Sequence, residues 1–268
     1  MLFRSLVVSV MGSASGEIIH EMFGISNLMG IILMMTLVGV IVFFGTTLIE
    51  KLLSFWSIIL YGVFAIMFLV VYFLYGDAIG SSFNQQPSDI SWTMGGIKYA
   101  AYNIGLVPAI LFCVRHIKTR KEAIISGLVA GAIGMIPAVF MFFAMLSQYP
   151  NVLNASVPVN AVLDKIGWDW FKLIFQIVLF GTFIETGVGL IHGFNERIAS
   201  VYTALSNQWR SAIGIVLLIV SIFIANAVGL VGLIAKGYGG LTWAYWIIFV
   251  IPVLTIGVWK ILKPTFTQ

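Results

Sequence analysis

Charge is what this chain lacks most. Only 9% of its 268 residues are Asp, Glu, Lys or Arg, against roughly 25% in a soluble domain. Hydrophobic residues make up 60%, and the mean hydropathy is +1.07. A soluble fold is excluded, and the apolar runs leave no room for a soluble catalytic domain. Residues 1–268 read as a single transmembrane domain. Cysteine is nearly absent too. The lone Cys113 rules out an internal disulfide, and with three histidines no Cys/His cluster reaches metal-ligand spacing. There is no HExxH, no phosphate loop and no paired nucleophile and base, so an enzyme is not expected. No basic run is interleaved with aromatics. The net charge of +4 therefore reflects membrane orientation rather than nucleic-acid binding.

What the chain does have is long apolar runs. Eight fall at 6–23, 26–47, 52–76, 95–114, 122–147, 170–194, 212–235 and 241–262. About 20 apolar residues cross a hydrocarbon core as a helix, so the expectation is an all-α polytopic membrane protein of about eight transmembrane helices, in contact with the lipid bilayer. Nine basic residues fall on one side of this arrangement (Lys51, Arg115, Lys118, Arg120, Lys121, Arg197, Arg210, Lys260, Lys263) and four on the other (Lys98, Lys165, Lys172, Lys236). The positive-inside rule then puts the 115–121 loop and the carboxyl terminus in the cytoplasm. Loops 77–94 and 148–169 fall outside, with room for short surface helices. Trp92, Trp168, Trp170, Trp243 and Trp246 sit where an outer aromatic belt would lie. The polar stretch 195–210 reads as a cytoplasmic linker helix. Asn154-Ala155-Ser156 matches a glycosylation sequon of little specificity. Residues 2–5, Leu-Phe-Arg-Ser, translate a common sequencing adapter. With an apolar run starting at once, the amino terminus reads as that of a fragment whose frame continues upstream.

Two apolar segments carry groups that a plain lipid-spanning helix has no use for. The segment 95–114 holds Tyr102, Asn103, Gly105 and Pro108 at its centre. Glycine weakens a helix, and proline removes a donor and disfavours helix at the residue before it. Broken backbone at membrane depth is tolerated where it is buried in protein or lines a wet cavity, and transporters build half-sites this way. A proline-kinked helix with a buried Asn is the alternative. The segment 170–194 holds Glu185, whose cost at the membrane centre is about 2.5–3.5 kcal/mol on insertion scales. Thr182, Thr186 and Gly189 share its face. That face could coordinate a cation or carry a proton; a structural Glu bonded to a neighbouring helix is the alternative. Gly12, Ser13, Ser15 and Gly16 in the first segment have the spacing of a close helix contact. Glu17, His20 and Glu21 read as its exposed end. Gln176 and Asn226 read as interhelical packing groups, His192 as interfacial and His116 as solvated. Pro137 and Pro252 read as kinks.

The order of these pieces resembles the YkvI-like membrane proteins of the amino acid–polyamine–cation transporter superfamily. The stretches that carry it are Ser13-Ala14-Ser15-Gly16-Glu17, Tyr99-Ala100-Ala101-Tyr102-Asn103-Ile104-Gly105-Leu106-Val107-Pro108, the basic turn 115–122 and Gly181-Thr182-Phe183-Ile184-Glu185-Thr186. The likeness is spread over essentially the whole chain. It implies a LeuT-type inverted-repeat fold lacking its first two helices, in a bacterial inner or plasma membrane. The segment 95–114 would be the sixth helix and 170–194 the eighth. It further implies a secondary transporter of a small, amino-acid-like solute, working by alternating access. Tyr102, Asn103 and Gly105, with Gly12, Ser13 and Gly16, would meet the substrate. Thr182, Glu185 and Thr186 would handle the coupling ion, sodium or a proton, and no other cofactor is implied. Sodium-coupled relatives carry a plain hydroxyl pair there; Glu185 departs from them, and proton coupling through it, or its pairing with a group on the missing helix, fits at least as well. A receptor or assembly subunit that binds a ligand without moving it is the alternative.

Overall fold

The computed structural model describes residues 2–42, 46–84, 91–107, 111–155, 157–202 and 207–263. Among them there is helix and no strand. The elements are α1 (Leu2–Phe23), α2 (Asn27–Val42), α3 (Thr46–Asn84), α4 (Ser91–Ile104), α5 (Arg120–Leu146), α6 (Pro158–Ile166), α7 (Asp169–Val201), α8 (Asn207–Gly232), α9 (Gly239–Tyr245) and α10 (Val258–Leu262). Single 3-10 turns cover Leu111–His116 and Asn151–Asn154. π-helical turns at Leu233–Tyr238, Trp246–Val250 and Val253–Gly257 join α8, α9 and α10.

The eight apolar segments each find helix, but among the described residues not all are both long and apolar enough for a span. Among the described residues, five stretches are long and apolar enough to cross a membrane: Ile49–Asn84, Arg120–Leu146, Asp169–Val201, Ala212–Gly237 and Thr242–Leu262. The other three differ for local reasons. In α1, Ser5, Ser9, Ser13, Ser15 and Glu17 dilute the apolar run. α2 has 16 residues. α4 has 14, because it stops at the glycine. The fold is that of a multi-pass helical membrane protein.

Local chemistry sets the helix ends. Gly24, at φ +66, closes α1 while its N–H donates to the His20 carbonyl, 2.8 Å away; a side chain would be strained there. Thr119 and Glu122 form a capping box that starts α5. The Thr119 hydroxyl accepts from the Glu122 N–H, and the Glu122 carboxylate accepts from the N–H of Lys118 and Thr119. α6 opens on Pro158 and ends at Gly167, φ +72. Two long helices are kinked internally, α3 at Tyr75 (φ −134, ψ 24) and α8 at Gly229 (φ 72, ψ 167).

Two large apolar clusters and a smaller third (Val10, Ala14, Leu230 and Leu233) hold the described helices together, and α7 runs through both large ones. Its first half joins α3, α5 and α6, where Phe175 stacks on Phe64 at 5.2 Å beside Met67, Val71 and Leu163. Its second half joins α1, α2 and α8 around Val8, Met34, Val38, Ile191 and Leu217. Glycines allow the closest approaches. A Cβ on Gly12 would sit 2.5 Å from Met35 Cε, and one on Gly30 2.9 Å from Gly16 Cα. The small-residue spacing of α1 is thus spent on packing against α2.

Two sequence readings change. The stretch 195–201 is not a separate linker helix but the last two turns of α7. The buried residues Ile191, His192 and Asn195 keep it packed inside the bundle. His192 is accordingly buried, at 4% exposure, rather than interfacial. The loop 148–169 does carry a short helix, α6, whose Val159, Val162, Leu163 and Ile166 face the first cluster.

Candidate functional site

The helix break falls where the glycine stands. α4 ends at Ile104, and a turn follows in which Gly105 N–H donates to Ala101 O and Leu106 N–H to Asn103 O. Pro108 lies outside the described residues, as does the side chain of Tyr102. Why glycine is needed is plain from its neighbour. A Cβ on Gly105 would meet the Tyr245 ring at 2.8 Å, and the Tyr245 hydroxyl donates to the Gly105 carbonyl at 3.0 Å. The Gly105 carbonyl is therefore held from α9. Trp246 adds a second strut, its indole N–H donating to Ile97 O at 3.4 Å. Asn103 is exposed, with its amide turned back onto Tyr99 O at 2.7 Å.

A cavity of about 990 Å³ lies between the α4 break, α3, α5 and α7, at the upper end of small-molecule pockets. Tyr99 and Leu106 line it from the broken segment, Tyr61 and Phe64 from α3. Pro137 and Phe142 line it from α5, and Glu185, Thr186 and Gly189 from α7. Pro137 has a consequence across the cavity. Proline has no N–H to give the carbonyl four residues back. That carbonyl, on Ile133, accepts instead from the Tyr61 hydroxyl at 2.6 Å.

Glu185 is half-buried where α7 passes from one apolar cluster to the other. Among the described residues no hydrogen bond or ion pair holds its carboxylate. Thr186, next to it, donates its hydroxyl to Thr182 O at 2.9 Å, which leaves the oxygen free to accept or to ligate. Thr182 is differently placed. Its hydroxyl donates to Val178 O at 2.9 Å and accepts from the Trp56 indole at 3.2 Å. Trp56 in turn lies so close that a Cβ on Gly181 would stand 1.9 Å from its ring.

Of the residues singled out from sequence, Glu185 and Thr186 share the cavity wall with the broken segment. Gly105 stands beside that wall under Tyr245. Gly12, Ser13 and Gly16 are buried, the glycines in the α1–α2 seam, and Thr182 is engaged with Trp56; none of these four is among the cavity-lining residues. Tyr61, Tyr99 and Tyr245 were not singled out. A tyrosine in an apolar run does carry a signal, since its hydroxyl must find a partner, but sequence does not say which. Elsewhere, Glu17 accepts from Asn27 at 2.9 Å, His20 Nδ1 lies 2.9 Å from Ile25 O, and Glu21 accepts from Asn160. Gln176 is buried with an unpartnered Nε2 among the described residues, while Asn226 and His116 are exposed. Ser156 of the sequon lies outside the described residues. Arg115 after the break pairs with Glu50 of α3 at 2.9 Å.

The chain is similar to the uncharacterized membrane protein YkvI of Bacillus subtilis (strain 168). The two are 23% identical over 247 residues, which cover 89% of this chain and 67% of that protein. No protein-family model matches the chain. No solved structure matches it either.

Proposed function

We propose that this chain forms the membrane domain of a secondary active transporter-like permease for a small solute, with Glu185 carrying the coupling sodium ion or proton. One observation supports the reading above the rest: the helix break of α4 and the Glu185–Thr186–Gly189 face of α7 line one cavity. Broken backbone beside a membrane carboxylate is how secondary transporters combine a substrate site with a coupling site. The reading extends to a LeuT-type inverted repeat, with the eight segments as its helices three to ten and the carboxyl terminus in the cytoplasm. Alternating access would then tilt α4 with its Tyr245 clamp against α3 and α7.

The test is uptake of a panel of labelled small solutes into proteoliposomes under an imposed sodium or proton gradient. Glu185→Gln is expected to abolish gradient-driven accumulation. Accumulation that persists undiminished in that variant would remove Glu185 from coupling. Solute binding to purified protein without any uptake would favour a non-transporting receptor.

A further inference from the structure

Four cations meet where the turn after the α4 break enters α5. Arg115 of that turn pairs with Glu50, near the start of α3, at 2.9 Å. The pair holds α3 against the turn, so Lys51 joins Lys118, Arg120 and Lys121 from a second helix. All four are exposed, and among the described residues none of them has an ion-pair partner. The carboxylate of Glu122 is spent on the N–H groups of Lys118 and Thr119. The patch thus sets five cations, Arg115 included, against the carboxylates of Glu50 and Glu122.

This placement runs against local electrostatics. The first turn of a helix carries positive partial charge, which disfavours cations and favours anions. Arg120 and Lys121 nonetheless open α5, a helix of 27 residues. An outside anion removes the conflict, and the neighbours of the charges say which kind. Ile124, Ile125 and Leu128, in the next two turns, are half or more exposed, and Val114 before the turn is exposed as well. Every residue from 120 to 136 is exposed, all round the helix, so a neighbour on one face leaves the others to lipid. At 1.5 Å per residue Lys121 stands about 10 Å from Leu128 along the axis. With Leu128 in hydrocarbon, the cations lie at head-group depth. Clusters of about four to eight Lys and Arg beside a span attract anionic lipids. A soluble polyanion would match the charges and leave the apolar flank unmet.

We infer that this patch binds an anionic phospholipid, its phosphate held by Lys118, Arg120, Lys121 and, from α3, Lys51, with an acyl chain along the first turns of α5. The inference is independent of what the cavity carries. It also goes beyond the charge asymmetry of the loops. Orientation needs cations anywhere on one side, whereas a site needs these cations side by side. The bound lipid ties the start of α3 to the turn that follows the break.

The test is native mass spectrometry of the full chain released from detergent micelles, titrated with one lipid at a time. The probes are dioleoylphosphatidylglycerol, which is anionic, and dioleoylphosphatidylcholine, which has a phosphate but no net charge. The first is expected to bind about tenfold or more tighter. Lys118→Gln with Lys121→Gln is expected to erase that preference, and Lys118→Arg with Lys121→Arg to retain it. Lys260→Gln with Lys263→Gln removes as many cations near the carboxyl terminus and is expected to leave the preference intact. Phosphatidylcholine binding unchanged throughout reports that the variants are folded. Lys51→Gln, on the other helix, is expected to weaken phosphatidylglycerol about threefold or more. Equal affinity for the two lipids would overturn the inference, as would an affinity untouched by Lys51→Gln. Equal losses in the two glutamine pairs would reduce the patch to diffuse charge and remove the site. Displacement of the lipid by an equal concentration of glycerophosphoglycerol, the same head group without acyl chains, would make it a site for a soluble anion instead.

Discussion

The hydrogen bond from Tyr61 to Ile133 offers a quantitative test of how the cavity wall is built. Pro137 leaves the Ile133 carbonyl without its helical donor, and the Tyr61 hydroxyl, 2.6 Å away, replaces it from α3. Tyr61→Phe keeps the ring and deletes the donor. An unmet carbonyl in such surroundings costs about 1–3 kcal/mol, and no lipid can repay it. Pro137→Ala restores an N–H at position 137, so Ile133 regains its partner four residues on. In that background Tyr61→Phe should cost only a few tenths of a kcal/mol. The double-mutant cycle is therefore expected to show a coupling of about 1–2 kcal/mol. The measurement is reversible unfolding in mixed micelles titrated with sodium dodecyl sulfate, followed by circular dichroism. Additivity within about 0.3–0.5 kcal/mol would refute the reasoning, because the two side chains would then not be answering the same carbonyl.

Further expectations concern close approaches and kinks, and each is read as a shift in the same unfolding transition. Gly181→Ala should cost about 1–3 kcal/mol, since a Cβ would fall 1.9 Å from the Trp56 ring and push the indole from Thr182; a neutral effect would mean that Trp56 does not lie there. Gly229→Ala should cost about 1–3 kcal/mol through backbone strain alone, because φ is +72 and nothing lies within 4 Å of the added atom. Gly30→Ala should destabilise by separating α2 from Gly16 of α1, whereas Gly127→Ala, in open space within α5, should stabilise by about 0.5–1 kcal/mol. Equal effects at the two positions would count against a glycine-mediated α1–α2 contact.

Much of the fold was legible because apolar length is a one-dimensional signal. The run 122–147 becomes Arg120–Leu146, and 170–194 begins within a residue of Asp169. The helix ends were legible where a local rule applies, as at Thr119–Glu122. What sequence could not supply is which polar residues are spent within the bundle. Gly12 and Gly16 have a spacing that suits a helix contact and a cavity wall equally, and the choice depends on Met35 and Asn27, which belong to another helix. Thr182 and Thr186 are equivalent by spacing on one face of α7. Only the indole of Trp56, 126 residues away, tells them apart.

The same distinction governs the helix break. Asn103 was the conspicuous group in sequence, a polar amide in an apolar segment, yet it satisfies itself on Tyr99 O one turn back. Glycine, the quieter residue, decides the geometry. Without a Cβ at 105 the Tyr245 ring comes close enough for its hydroxyl to donate to the Gly105 carbonyl. A break capped from α9 moves with α9, so any tilt of α4 toward or away from Glu185 must carry Tyr245 and Trp246 along. Tyr245→Phe leaves the ring in place and removes the cap. It should therefore loosen the break without filling the cavity, seen as faster amide hydrogen exchange at residues 105–107 with exchange across α7 unchanged. Unchanged exchange at 105–107 would mean that the break holds its own carbonyls and that α4 can move independently of α9.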